Sequence, residues 1–382
     1  DSFSNRLSDS LMIFSRISGG NGTFDNGLDT ANVRTNASGI SESNYTASSV
    51  LSFGSDSIEI SYGSLNDTLI LPLRSSLVSY YTLVPSTDST ITVGDSLKFI
   101  VTARDQFGNG IGNNGSINVD AQGSNTAGFS PGPYDFDGLD TLSFKVSDST
   151  AGSFTVLVEN TGSSAISGSS GLITVNPDSG AISIAKVSGD ISGIAAGVDQ
   201  LLRVRVTDNF ANAIAGDSVR FIVRSGGGNI GGSDSVDVAT DGAGGAESTL
   251  TTGLSAGPNL VTALRIDDRA DSVQFTVETV SGGVSYYTLT PSTGQTIVAG
   301  DSVSYTLKAF DQYDNAVANS DTVSLSAVGS STAGFTSGVH EFAGDDSLTF
   351  NVGDSTAGSF TVRADNDNNP AVTITGGLIT VL

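Results

Sequence analysis

Residues 201–232 read LLRVRVTDNFANAIAGDSVRFIVRSGGGNIGG, and the fold class follows from the way this stretch alternates. Leu202, Val204 and Val206 fall on one side of an extended chain, with Arg203 and Arg205 on the other. Alternation with a period of two marks a strand with one buried face. The pattern breaks at Asp-Asn-Phe-Ala-Asn and resumes in SVRFIVR, before a Gly-rich loop. Asp caps turns with its side chain, and Asn tolerates left-handed backbone geometry. The stretch therefore predicts strand, turn, strand, loop.

The same grammar recurs along the chain. Leu97, Phe99 and Val101 share one face of SLKFIVTAR (96–104). Leu142, Phe144 and Val146 do so in TLSFKVSD (141–148), and Phe154, Val156 and Val158 in SFTVLVEN (153–160). Val273, Phe275 and Val277 repeat the pattern in SVQFTVE (272–278). Strong helix formers are scarce, while β-branched residues and turn formers abound. Short strands separated by Gly, Asn, Asp and Pro predict an all-β chain of Greek-key sandwiches.

Internal repetition sets the domain plan. VSYYTLVPSTDSTITVGDS from Val78 aligns with VSYYTLTPSTGQTIVAGDS from Val284, an offset of 284 − 78 = 206. The offset holds without a gap through DSTAGSFTV (148 and 354) and GLITV (171 and 377). Between the copies, GDSVRFIVRSGGGNIGG and VATDGAGGAESTL define a second type, echoed near the start by SDSLMIFSRISGGNGTF and VRTNASGISESNY. Such self-similarity marks a tandem array. The expected plan is an incomplete A-type domain at 1–76, B-type at 77–176, A-type at 177–283 and B-type at 284–382. Short linkers predict an elongated rod. The A-type domain at 177–283 carries AISIAKV and LLRVRVT ahead of its DNFAN, and the first A-type domain lacks them. That domain is thus expected to lack its first two strands. A cut fragment, a window from a longer filament and completion by a strand from a neighbouring chain all account for this. In the last case the donated strand would cover the face made by Leu11, Ile13 and Ile17 or their neighbours.

Charge and composition exclude several function classes. The chain has 382 residues, a net charge of −24, no Cys, no Trp and a single His. No basic footprint for DNA or RNA is present, so nucleic acid is not an expected partner. No run of about 18 apolar residues occurs, so direct membrane insertion is not expected. Without disulfides, each domain must hold through its own core.

The five-residue motif Asp-x-aromatic-x-Asn appears four times: Asp1, Phe3, Asn5; Asp105, Phe107, Asn109; Asp208, Phe210, Asn212; and Asp311, Tyr313, Asn315. Read structurally, Asp caps the turn, Asn takes left-handed geometry and the aromatic drops into the core at the sandwich end. Read functionally, the Asp and Asn are a calcium ligand pair at a domain junction, although calcium wants six to eight oxygens. The densest oxygen cluster is ADNDNNP, where Asp365, Asp367 and Asn369 are weak metal candidates. Downstream Gly and bidentate Glu, which a complete calcium loop would add, are missing. Calcium is therefore the only candidate cofactor. His340 stands where Tyr134 stands in the other B-type copy, which favours a surface role over a general base. The Gly-rich loops lack the Lys-Ser/Thr of a phosphate cradle. No catalytic residues are expected. Five sequons, Asn21, Asn36, Asn44, Asn66 and Asn114, are candidate glycosylation positions. The only Tyr doublets, Tyr80–Tyr81 and Tyr286–Tyr287, fall at domain junctions, where packing explains them better than glycan binding does.

The order DNFANAIAGDSVRFIV, then TDGAGGAEST, resembles the bacterial immunoglobulin-like domains of the invasin–intimin group. The B-type segments share DQFGNGI and DQYDNAV but have a different second half, as a relative would. The resemblance implies tandem immunoglobulin-like sandwiches in the stalk of an extracellular surface adhesin, with binding confined to a specialised tip. The expected function is non-enzymatic: an adhesin stalk or filament subunit, with self-association or neighbouring repeats of the same protein as partners. The alternatives are an adhesin module that binds a glycan or host protein, and a calcium-rigidified surface-layer segment.

Overall fold

The computed structural model describes residues 3–382, so Asp1 of the first motif lies outside the described residues. Strands dominate, and no α-helix occurs among the described residues. None is therefore long and apolar enough to cross a membrane. The chain divides into two compact units, Asp1–Asp178 and Ser179–Leu382.

Within the first unit, residues 77–176 build a two-sheet sandwich. One sheet runs Gly128–Phe129, Thr141–Ser147, Ser96–Arg104, Tyr80–Val84; the other runs Ile117–Gln122, Gly152–Asn160, Ile173–Asn176, Ser89–Thr92. The last pair is parallel. Alternation decides what is buried: Phe99, Val101 and Ala103 face Phe144, Val146, Phe154, Val156 and Val158, all at 2% exposure or less. Residues 284–382 of the second unit repeat this topology, with Thr373–Val381 running as one strand where the first copy has Ser163–Ser169 and Ile173–Asn176, and with the same parallel closure by Gln295–Ile297.

Residues 179–280 form the other sandwich type. Ile182–Ser188, Asp199–Asp208, Gly245–Thr251 and Asn229–Ile230 make one sheet, with Leu202, Val204 and Val206 inward and Arg203 and Arg205 outward. The opposing sheet is Ile191–Ala195, Ser272–Val280, Gly257–Arg265, Ser218–Ser225, Ser235–Ala239. Three strands, rather than the two expected, precede the DNFAN turn. The additional one, Ile191–Ala195, lies between the other two in sequence and parallel on Ser272–Val280. Its sequence ISGIA holds a glycine and little alternation, so the period-two signal is missing there.

The start of the chain has counterparts for only part of this plan. Leu11–Ser18, Thr30–Arg34, Ser55–Tyr62 and Leu65–Pro72 form one sheet, and Thr23–Phe24 pairs with Tyr45–Thr46. Its core is small: Phe24, Ala31 and Ile58, flanked by Phe14, Val33, Tyr45, Ile60 and Leu71. Register corrects the expected buried face. Phe14 pairs with Ala31 and Ile60, as Phe221 pairs with Val236 and Ala263. Phe14 therefore points inward, and Leu11, Ile13 and Ile17 form the exposed row. The stretch LMIF is apolar at consecutive positions, so alternation cannot choose a face, and a one-residue slip exchanges the two.

The two copies of the 77–176 type differ at one core position with an energetic consequence. Phe99 stacks on Phe144, and Tyr305 stacks on Phe350 in the same place, with centroids 5.7 and 5.8 Å apart. The Tyr305 hydroxyl is fully buried and has no hydrogen-bond partner. A buried unpaired hydroxyl costs about 1–3 kcal/mol. Tyr305→Phe is therefore expected to stabilise its sandwich by about 1 kcal/mol, and Phe99→Tyr to destabilise the other copy by a similar amount. Hydrogen exchange of amides in Ser302–Phe310 and Ser96–Arg104, read in the full chain, checks both.

Candidate functional site: the motif turn at the junction

Strand parity explains the motif. Phe99, Val101 and Ala103 point inward on Ser96–Arg104, so the next inward position is Asp105, only 1% exposed. A buried carboxylate must be hydrogen-bonded. The turn supplies the donors: the backbone N–H groups of Phe107 and Asn109 both reach Asp105 Oδ1 at 2.9 Å. Asp208 receives Phe210 and Asn212 in the same way at 2.8 Å, and Asp311 receives Tyr313 and Asn315 at 2.8 and 2.9 Å.

Two expectations about this turn are corrected. The left-handed residue is the one before Asn: Ser4, Gly108, Ala211 and Asp314 have φ of 65°, 86°, 66° and 67°. The aromatic does not enter the core. Phe3, Phe107, Phe210 and Tyr313 are exposed; at the last three turns Asp105, Asp208 and Asp311 already occupy the inward position.

The other Asp oxygen and the Asn side chain reach beyond the turn. Asp311 Oδ2 accepts the Gly282 N–H at 2.8 Å, and Asp105 accepts the backbone N–H of Ser76, which stands 206 residues earlier in the repeat. Both donors belong to the linker that enters the sandwich. Asn315 Nδ2 donates to the Leu254 carbonyl at 2.8 Å, and its Oδ1 accepts the Ala256 N–H at 2.7 Å. Asn109 does the same with the Ser49 carbonyl at 2.7 Å and the Leu51 N–H at 3.3 Å. The amide thus spans positions i and i+2 of a loop in the preceding sandwich, in both units.

That loop is itself pinned. The Gly253 N–H donates to Asn259 Oδ1 at 2.9 Å, and at the corresponding place the Ser48 N–H donates to Asp56 Oδ2 at 2.7 Å. Asn259 and Asp56 are both fully buried. Tyr45 also donates to Asp56, and burial together with that bond pushes its hydroxyl up to about 12. Tyr313 lies beside Gly197, where an added Cβ would stand 3.3 Å from the phenol oxygen.

A second carboxylate network, missed in sequence, closes each B-type sandwich. Asp148 accepts Ser124 Oγ at 2.6 Å, Thr126 Oγ1 at 2.7 Å and the Thr150 N–H at 2.9 Å. Asp354 repeats this with Ser330, Thr332 and Thr356. The signal was present as the repeated Ser-x-Thr-Ala-Gly-Phe (124–129 and 330–335) and DSTAG segments, but nothing local pairs them across the loops.

The other sequence candidates are dispersed. Asp365 is held by Arg363 and Asp367 by Ser324, while Asn369 accepts the Ala371 N–H. Among the described residues no group of three or more His, Cys, Asp or Glu side chains is placed to hold a metal ion. His340 packs edge-on against Phe350, where Tyr134 covers Phe144. Tyr81 and Tyr287 are buried on Phe136 and Phe342 and accept Asn160 and Asn366 Nδ2. Tyr80 and Tyr286 are partly exposed. All five sequon asparagines are exposed. Asn21 bonds to Ser49, Asn44 to Asp25 and Asn66 to Glu59 through the side-chain nitrogen.

Chemically, these carboxylates are acceptors already saturated by donors. Burial raises the Asp105, Asp148 and Asp311 carboxyls, but the side-chain and backbone donors prevail and hold each below its ordinary value. For Asp354 the Ser330 hydroxyl is the leading cause of the same shift. A general base working near neutrality needs the opposite shift.

No protein-family model matches the sequence. No curated protein matches it either. Among solved structures the chain is similar to FdeC, an Escherichia coli adhesin, at 21% identity, covering 81% of this chain and 100% of that one, with a TM-score of 0.47. It is similar to invasin, a bacterial integrin-binding protein, at 14% identity over 98% and 72% of the two chains, TM-score 0.40. InvD of Yersinia pseudotuberculosis shares 14% identity over 78% and 96%, TM-score 0.41. All three lie below 25% identity and below a TM-score of 0.5, and the β-sandwich architecture stands on the strands of this chain itself.

The lowered carboxyls make stability depend on acid. A group whose folded value lies below its unfolded value of about 3.9 contributes stability above that pH and loses it as pH falls through the folded value. Acid unfolding is therefore expected to steepen below about pH 4. Asp148→Asn and Asp354→Asn should flatten that limb, read as unfolding temperature against pH. Millimolar calcium is expected to leave the unfolding temperature unchanged, since bound metal would raise it by mass action.

Proposed function

We propose that this chain is a non-enzymatic structural segment of an adhesin-like surface protein, serving as an adhesin stalk or filament subunit outside the cell. The observation that carries the reading is the repeated junction. In both units a B-type sandwich holds its linker through Asp and the preceding sandwich through Asn. Chains that only carry a binding site have no need of the same stiffened joint twice. A spacer does, because its length under load depends on every joint. The absence of disulfides is compatible with this role, since each sandwich closes through its core and its carboxylate networks. The adhesin FdeC and the integrin-binding invasin have roles that are those proteins' own. Strand exchange at the first, smaller sandwich belongs to the same proposal: an incoming strand would cover the inward row that contains Phe14.

Two measurements separate the spacer from a ligand-binding module. Pulling the chain by its ends in a force microscope is expected to give repeated unfolding peaks of similar height, one for each complete sandwich. Labelled chain applied to host cells or immobilised glycans is expected to show no saturable binding. Saturable binding of the isolated chain would overturn the spacer reading in favour of the binding module.

A further inference from the structure

We propose that the motif-bearing end of each B-type sandwich is a docking site for the preceding A-type sandwich, and that the motif asparagine is the latch that sets the angle of the joint. The side chains of the docked loop differ between the joints: Ser49 and Leu51 in one, Leu254 and Ala256 in the other. The bonds do not differ, because the asparagine meets only a carbonyl at position i and an N–H at position i+2. The partner is thus recognised by backbone shape. That shape is guaranteed from inside the A-type sandwich, where Asp56 or Asn259 holds the loop N–H next to the docked carbonyl. On the other side, Asn109 and Asn315 are fixed by donation to Asp105 and Asp311. A primary amide that offers one donor and one acceptor in a fixed plane defines a direction as well as a contact. The linker N–H of Ser76 or Gly282 on the same Asp removes the remaining freedom at the hinge. Contacts between domains of one chain are otherwise mobile by default.

The inference rests on the spacer reading only for its purpose, and its test does not involve cells or force. The chain has no Cys, so two spin labels can be placed at will. Thr249→Cys with Ser326→Cys spans the joint of the second unit, and Asn32→Cys with Asn118→Cys spans that of the first. All four positions are exposed. In the full chain, Asn315→Ala is expected to broaden the distance distribution of the second pair about two-fold while leaving the first pair narrow, as a joint returned to default mobility would. Asn109→Ala should do the reverse. Cleavage in the linker 280–285 by a dilute protease should accelerate only in Asn315→Ala. Unchanged widths in both variants would overturn the proposal. So would loss of the folded sandwich in both, because the amide would then serve the domain and not the joint. A joint that loosens as expected in a chain that also binds cells would leave the latch standing and remove the spacer reading.

Discussion

A single constraint organises the junction: a carboxylate placed in the core row of a strand has to be bonded on every side. Strand parity brings Asp105, Asp208 and Asp311 to the inward position at the end of a row of apolar side chains. Leaving such a group unpaired would cost several kcal/mol. The chain must therefore turn at once and present two backbone N–H groups, which forces a left-handed residue just before the asparagine. In Asp105 and Asp311 the remaining capacity is filled by the linker. Strand end, turn and domain entry are consequently one object. The aromatic is displaced outward by the same geometry, toward the neighbour at Gly197 in the second unit.

The carboxylates at Asp148 and Asp354 do a comparable job at the opposite end of their sandwiches' loops. Each ties a Ser-x-Thr segment to the turn between two long strands, a closure that small extracellular domains elsewhere entrust to disulfides. Hydroxyl donors make this closure reversible and indifferent to redox state, but dependent on ionised acid. Stability in these sandwiches is therefore linked to pH through a few buried groups, and much less to the acidic surface, whose exposed charges are screened by salt.

Most of the architecture was legible because its signals are local. Alternation in LLRVRVT, SFTVLVEN and SVQFTVE placed the inward residues of Asp199–Asp208, Gly152–Asn160 and Ser272–Val280, and the 206-residue offset exposed the repetition. What stayed hidden is non-local or ambiguous. Ile191–Ala195 pairs in parallel with a strand more than eighty residues away, and its glycine erases the alternation. Leu11–Ser18 is apolar on both faces, so only its partners settle the register. The turn motif was visible, yet its purpose was not. Asn109 and Asn315 act on loops 60 and 61 residues upstream, and no spacing rule within five residues reports that.

The chemistry of the latch suits a chain with a net charge of −24. A joint made from ion pairs would need cations that this sequence rarely has, and exposed pairs weaken as salt rises. A joint made from bound calcium would fail wherever the ion is scarce. A neutral amide bonded to backbone depends on neither. Its bonds to the docked loop use only main-chain atoms of Ser49, Leu51, Leu254 and Ala256, so they place no demand on those side chains. The sequence cost of such a joint is one asparagine, one aspartate and one buried side chain beneath the loop. That small requirement is what lets the surrounding repeats diverge to about half identity while the two joints keep the same bonds.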